Sequence, residues 1–289
     1  MELPAIAGIT HRRVPVNGTE LHLACAGEGR PLLLLHGWPQ HWWSWRKVIG
    51  ELAARHRVIA PDLRGWGWSE APPGDYAKAV FAADLLALLD AEGIDRVSII
   101  AHDWGAYAAF LLALAHPRRI ERMVTLDIPP PWPEPLRPRH LGTPLLLTYQ
   151  LPLALPGVGA RILTSGPAFV RAVIRAGSGP GMRWTEDELD AYAMPLREPA
   201  RAAASSACYR TFLTRELPAV IAGRGPRPDQ LRVPTLLLMG SHSPLQRALA
   251  PRAVPQLSVE QVAGAGHFIP EEAPGELLAR ALPFLAAAG

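Results

Sequence analysis

The sequence predicts an α/β fold: a mostly parallel central sheet flanked by helices, with a helical segment inserted after the sixth strand. Three observations predict it. Short apolar runs of strand length alternate with stretches of helical spacing through the first 128 residues. One of those runs, Val97–Ala101, passes almost directly into a helical stretch at Trp104–Ala115. From about 129 to 226 no convincing strand pattern occurs, and strands resume afterwards.

The elements follow in chain order. Ile9–Val16 and Leu21–Ala26 read as an opening hairpin, with Asn17-Gly18 as a turn whose residues tolerate positive φ. Pro31–His36 is a near-continuous apolar run, the mark of a parallel strand buried on both faces. A Trp-rich helix is expected over Trp42–Ala54, a strand at Arg57–Ala60 and a helix at Tyr76–Glu92. Val97–Ala101, Trp104–Ala115 and Arg122–Leu126 continue the alternation. Then Pro129, Pro130, Pro131, Pro133 and Pro135 crowd together and the texture changes. Pro234–Met239 and Leu257–Val262 resume as strands, and Pro274–Ala287 closes the chain as a helix. The simplest division is a core formed by 1–128 and 227–289, interrupted by a helical cap at 129–226. Such a cap would lie over the C-terminal strand ends, where open α/β sheets bind ligands.

Composition narrows the function classes. A net charge of +3 over 289 residues, with the basic residues scattered, argues against a nucleic-acid partner. Cys25 and Cys208 are far apart and read as small buried residues rather than a disulfide framework. No Cys/His cluster has metal-ligand spacing, so neither a metal nor a cofactor is expected. Leu141–Ala160 carries no charge, but Pro144, Pro152 and Pro156 break it and Tyr149 and Gln150 interrupt it. It reads as a buried wall, and no membrane partner is expected. The opening Met1-Glu2-Leu3-Pro4-Ala5 is unlike a signal peptide, which suggests a cytoplasmic enzyme, monomeric or homodimeric.

The chemistry centres on Ala101-His102-Asp103-Trp104-Gly105, at the strand-to-helix turn. Small residues flank the central one, as they must where strand and helix backbones come close. Ala101 stands where glycine is usual, and Asp103 where serine is usual. A serine attacks carbonyls, whereas a carboxylate displaces at an sp³ carbon and leaves an alkyl ester on the enzyme. At a helix N-terminus the dipole should keep Asp103 ionised. A simple N-cap would explain Asp103 alone, but not the other motifs.

Those motifs are His36-Gly37-Trp38-Pro39, the stretch Asp62 to Ser69, His102-Asp103-Trp104-Gly105, and Gly264-Ala265-Gly266-His267-Phe268-Ile269-Pro270. With them the chain resembles the epoxide hydrolase and dehalogenase branch of the α/β-hydrolases over nearly its whole length. The resemblance implies an α/β-hydrolase fold, with His267 as general base and His242 as its weaker rival. His36 should fasten the loop before Trp38, and His102 should point away from Asp103. Many relatives carry an acid after the strand equivalent to Pro234–Met239, yet Gly240-Ser241-His242-Ser243-Pro244-Leu245 has none. Others carry it at the end of the preceding strand, where Asp127 lies at an offset of 127 − 103 = 24. Asp127 is therefore expected to orient His267. Backbone N–H groups of Trp38 and Trp104 would bind the oxyanion, and Trp38–Pro39 is a candidate cis peptide. Asp62 to Ser69 is expected to shape the cleft edge.

The cap should select the leaving group. Opening an epoxide needs proton donors, and tyrosine hydroxyls suit that task. By resemblance, Tyr149, before Leu155-Pro156-Gly157, and Tyr209, in Tyr209-Arg210, match the two ring-opening tyrosines of soluble epoxide hydrolases. Tyr192 matches neither and reads as structural. The expected reaction turns an apolar epoxide and water into a vicinal diol, through an aspartyl ester cleaved by His-activated water. A haloalkane dehalogenase is the alternative, and it would need two side-chain N–H donors. Trp104 is one candidate; Trp38 would qualify only if turned inward, and Trp132 and Trp184 are weaker. Fluoroacetate dehalogenases clamp a carboxylate with arginines just after the nucleophile, where this chain has Trp104 and Tyr107. A non-catalytic ligand-binding member would show decay of the catalytic set, but Asp103, Asp127 and His267 are intact.

Overall fold

The computed structural model of the chain describes residues 3–132, 148–245 and 254–287. Pro133, Pro135, Leu141 and Pro144 fall outside the described residues. The hairpin forms from β1 (Thr10–Val16) and β2 (Thr19–Ala26), with Val16 opposite Thr19. Asn17 and Gly18 take φ of 43° and 73°, the paired left-handed geometry that matches the twist of two adjoining strands. Six more strands follow: β3 (Arg30–Leu35), β4 (His56–Pro61), β5 (Val97–His102), β6 (Ile120–Leu126), β7 (Thr235–Gly240) and β8 (Leu257–Val262). Their order in the sheet is β1-β2-β4-β3-β5-β6-β7-β8. β2 runs antiparallel to β1 and β4, and all other neighbours are parallel.

The unbroken leucine run of β3 has a direct cause. Leu33 and Leu35 face one core, and Leu32 and Leu34 face the other. Helices α2 (Lys78–Ala91) and α3 (Asp103–Ala115) cover the first face through Phe81, Leu85 and Phe110. α1 (Ile49–Ala53) and, at the end of the chain, Pro274–Ala286 cover the second through Ile49, Leu277 and Ala281. A strand buried on both faces cannot alternate polar with apolar residues.

The single Trp-rich helix expected over Trp42–Ala54 does not form. A 3-10 turn at Trp42–Trp45 precedes the separate, short α1. The three-residue repeat of a 3-10 turn eclipses Trp42 and Trp45, sending both indoles into the second core. Polar anchors fix this turn: Asp62 accepts the Trp42 N–H and the His41 ring accepts the Trp43 N–H.

Between β6 and β7 the described residues hold helices and no strand. These are α4 (Gln150–Ala154), α5 (Val158–Ser165), α6 (Ala168–Gly177), α7 (Glu186–Ala193) and α8 (Pro199–Thr211). A π-helical turn at Phe212–Glu216 leads from α8 into α9 (Leu217–Ile221). After β8 come α10 (Ile269–Glu272) and α11 (Pro274–Ala286). The α4–α9 segment meets the core beside the C-terminal ends of β3 and β5: Tyr149 stacks on Trp38, and Tyr209 lies against Trp38 and Trp104. No helix among the described residues is long and apolar enough to cross a membrane.

Candidate active site

Asp103 sits at the turn from β5 to α3 with φ of 48°, a left-handed conformation that only a tightly packed turn sustains. The glycines around it are required by space. A Cβ on Gly105 would lie 2.4 Å from the His36 carbonyl oxygen, and one on Gly37 would lie 2.3 Å from the Asp103 Cβ. This closeness brings the next loop to the carboxylate: the Trp38 N–H donates to Asp103 Oδ2 at 2.9 Å, and the Trp104 N–H donates to the same carboxylate. The Trp38–Pro39 bond is cis.

The helix end alone does not set the charge on Asp103. Burial pushes its carboxyl above the usual range, while His267 and the Trp104 and Trp38 amides pull the other way. The lowering expected from the helix dipole is outweighed by desolvation.

His267, in the loop between β8 and α10, has Nε2 3.9 Å from Asp103 Oδ1. Its Nδ1 is 2.7 Å from Asp127 Oδ2. Burial alone would lower the imidazole pKa. The hydrogen bond and charge of Asp127, then the charges of Asp103 and Glu272, outweigh it and raise the pKa. Asp127 ends β6 with φ of 47° and is fully buried. Its Oδ1 accepts the Gly240 N–H at 2.9 Å, and its Oδ2 accepts the Ser243 hydroxyl at 2.5 Å. The loop after β7, which offers no carboxylate, thus offers two donors to a carboxylate that arrives from β6. Sequence reasoning missed Ser243; a hydroxyl in the loop that lacks its acid was the available signal.

The other histidines separate clearly. His102 Nε2 lies 2.9 Å from the His267 carbonyl oxygen, and its ring packs 4.6 Å from the His267 ring. It stands behind His267. His36 accepts the Leu63 N–H at 2.9 Å and bonds the Gly37 carbonyl, fastening the loop that leads to Trp38. His242 is exposed, with its backbone N–H on the Ala265 carbonyl. Asp62 does not lie on the cleft edge. It is fully buried and accepts the N–H groups of Trp42 and Trp68 and a bond from His22, so it holds the loops from beneath.

Tyr149 and Tyr209 converge from α4 and α8, with hydroxyls 3.3 Å apart. The Tyr149 ring stacks on Trp38 at 5.8 Å and 13°, and Tyr209 meets Trp38 edge-on at 5.2 Å. Burial raises the pKa of both phenols. The Asp103 charge raises each further, so both stay protonated and able to donate. Tyr192 is also buried, but its hydroxyl is bound to Glu271 and Arg46, away from this group.

The α/β hydrolase fold family matches residues 30–274. The chain is 33% identical over 293 residues to the soluble epoxide hydrolase of a Corynebacterium species, covering 96% of this chain and 98% of that one. The chain belongs to the α/β-hydrolase family, on its epoxide hydrolase branch. Epoxide hydrolase 3 of Siraitia grosvenorii is 31% identical over 322 residues, covering 96% of this chain and 98% of that one. Among solved structures, the epoxide hydrolase CorEH without ligand superposes with a TM-score of 0.84 at 30% identity, covering 96% of this chain and 99% of that chain.

Within this α/β-hydrolase frame, the two tryptophan indoles differ: one N–H is bonded and the other is not. The Trp38 indole N–H donates to Ser205 at 3.2 Å, sharing that hydroxyl with Trp66. The Trp104 indole N–H is buried with no hydrogen bond among the described residues. Trp184 donates to Ser178, and Trp132 packs on Phe110. Sequence reasoning also missed Lys78, which is fully buried. Its ammonium lies 4.3 Å from the Trp104 ring centre, 2.7 Å from Glu216 and 3.2 Å from the Cys208 carbonyl. Among the described residues, no group of three His, Cys, Asp or Glu is placed to hold a metal ion.

Proposed function

We propose that the chain hydrolyses a small apolar epoxide to a vicinal diol through an ester on Asp103. The observation that carries this reading is the pair of hydroxyls on Tyr149 and Tyr209, 3.3 Å apart, on two rings packed against Trp38, whose amide bonds a carboxylate that lies 3.9 Å from His267. Asp103 Oδ1 attacks an epoxide carbon and the carbon–oxygen bond of the ring breaks. The ring oxygen takes a proton from the tyrosine pair, giving a hydroxy-ester. Water then adds to the ester carbonyl carbon as His267 takes its proton. The Trp38 and Trp104 amides, already aimed at this carboxylate, bind the resulting oxyanion. Collapse expels the diol as its alkoxide, which takes the carboxyl proton, giving the diol and restoring the Asp103 carboxylate, while the proton taken from water stays on His267.

The charges support this order of events. With Asp103 ionised, His267 faces two anions, and both favour the imidazolium. Esterification removes one of those anions. The imidazole becomes a weaker base and releases its proton through solvent to the tyrosine pair, which lost one in ring opening, and the neutral ring can activate water at the moment it is needed. Asp127 keeps the ring oriented throughout.

The proposal assigns 129–226 as a cap over the core formed by 1–128 and 227–289, supported by the packing of Tyr149 and Tyr209 on Trp38. It also places the enzyme in the cytoplasm, in keeping with the free thiols Cys25 and Cys208. Dehalogenation is disfavoured because the Trp38 indole N–H, a candidate second halide donor, is bound to Ser205. The test is turnover of styrene oxide and, separately, 1-bromobutane. Diol without bromide is expected; bromide without diol would reverse the assignment.

A further inference from the structure

The backbone of the His267 loop is held from two sides. The His267 N–H donates to the Gly177 carbonyl at 2.7 Å, at the C-terminal end of α6. The amides on either side, Gly266 and Phe268, both donate to Glu272, to Oε2 and Oε1 respectively, each at 2.8 Å. Glu272 Oε2 also accepts the Gly179 N–H at 2.6 Å. One carboxylate therefore ties three amides, two flanking His267 and one just beyond α6. Glycine is required at this junction. A Cβ on Gly266 would lie 2.4 Å from the Gly179 nitrogen, and one on Gly179 would lie 2.3 Å from the Gly264 carbonyl oxygen.

We infer that Glu272 is a positioning residue for ester hydrolysis, fixing the backbone of His267 against the cap so that Nε2 faces Asp103. The inference rests on the two-step reading above, in which His267 serves the second step alone. Charge-assisted bonds to backbone amides are stronger than neutral ones, and three on one carboxylate leave the loop little freedom. Its neighbour Glu271 makes a comparable tie between core and cap, but to Arg46, Lys47 and Tyr192. The Glu271 carboxylate does not bond the His267 loop amides, and only its backbone N–H meets the loop, at the Phe268 carbonyl, so the two side chains separate positioning from general stability.

The experiment is rapid-quench mass spectrometry with styrene oxide on Glu272→Gln, Glu271→Gln and His267→Gln. In Glu272→Gln an amide nitrogen replaces one acceptor oxygen. Hydrolysis should slow by about tenfold or more, the scale of one lost charge-assisted bond, while ester formation changes less than about twofold. The ester should then accumulate. Glu271→Gln should leave the balance between the steps unaltered. Equal slowing of both steps in Glu272→Gln, or no ester build-up, would overturn the inference, provided His267→Gln traps ester. If His267→Gln traps none, the two-step reading itself fails. Amide hydrogen exchange on the unaltered chain tests the tie independently of folding in any variant. Gly179, Gly266 and Phe268 should be protected together, and free exchange at any of them would contradict the tie.

Discussion

Ser243 and His267 both donate to the same oxygen of Asp127, at 2.5 Å and 2.7 Å. Asp127, proposed to orient His267, is thus itself held by a hydroxyl from the loop after β7. Asp127→Asn should lower turnover by about 10³-fold or more, because an amide neither fixes the required tautomer nor stabilises the imidazolium. Adding Ser243→Asp to that variant should recover part of the loss, since the new carboxylate enters the same small space. Recovery is read as turnover of the double variant against Asp127→Asn; a further fall would show that the two loop positions are not interchangeable.

In the proposed path the tyrosine pair donates the proton for ring opening. Tyr149→Phe and Tyr209→Phe should each slow ester formation by about tenfold or more, the partner hydroxyl still donating, and the double variant by about 10²- to 10⁴-fold, the usual range for a general acid. Single-turnover ester formation is the measurement. Unchanged rates in both single variants would remove the pair from the chemistry.

The pH dependence follows from the directions already described. In the proposed path Asp103 attacks as the anion, and burial raises its pKa. Ester formation should therefore fall on acidification at a higher pH than an ordinary carboxylate would give. Hydrolysis needs neutral His267, so it should rise with pH through the imidazole midpoint. Asp127→Asn removes the largest influence raising that midpoint, and the rise should move to lower pH. A shift upward would contradict the assignment of Asp127.

Lys78 and Glu216 join α2 to the turn after α8, with the lysine fully buried and the glutamate 16% exposed. Lys78→Met leaves Glu216 without this partner and should cost about 3 kcal/mol of stability, the scale for breaking a buried pair from one side. Replacing Glu216 with Leu in the same chain should restore most of it. Urea unfolding midpoints of the two variants check this.

Much of this site is legible in the sequence because its positions follow from backbone geometry. The turn at Asp103 needs small neighbours, the hairpin needs Asn17-Gly18, and β3 needs a leucine run. What the sequence hides are interactions between distant segments. Ser243, Lys78 and Glu272 lie far in sequence from Asp127, Glu216 and Gly179, and each is an ordinary polar residue until the fold places its partner. The split of the Trp42–Ala54 stretch has the same origin: Asp62, from a different loop, fixes the Trp42 amide.

The central claim, that Asp103 itself is the attacking atom's source, is tested most directly by a single turnover in ¹⁸O-labelled water with enzyme in excess over epoxide. In the proposed path water attacks the ester carbonyl carbon, so the label should enter the Asp103 side chain and the first diol should be unlabelled. Label in the first diol, with Asp103 unlabelled, would mean that water opens the epoxide directly and would contradict the account.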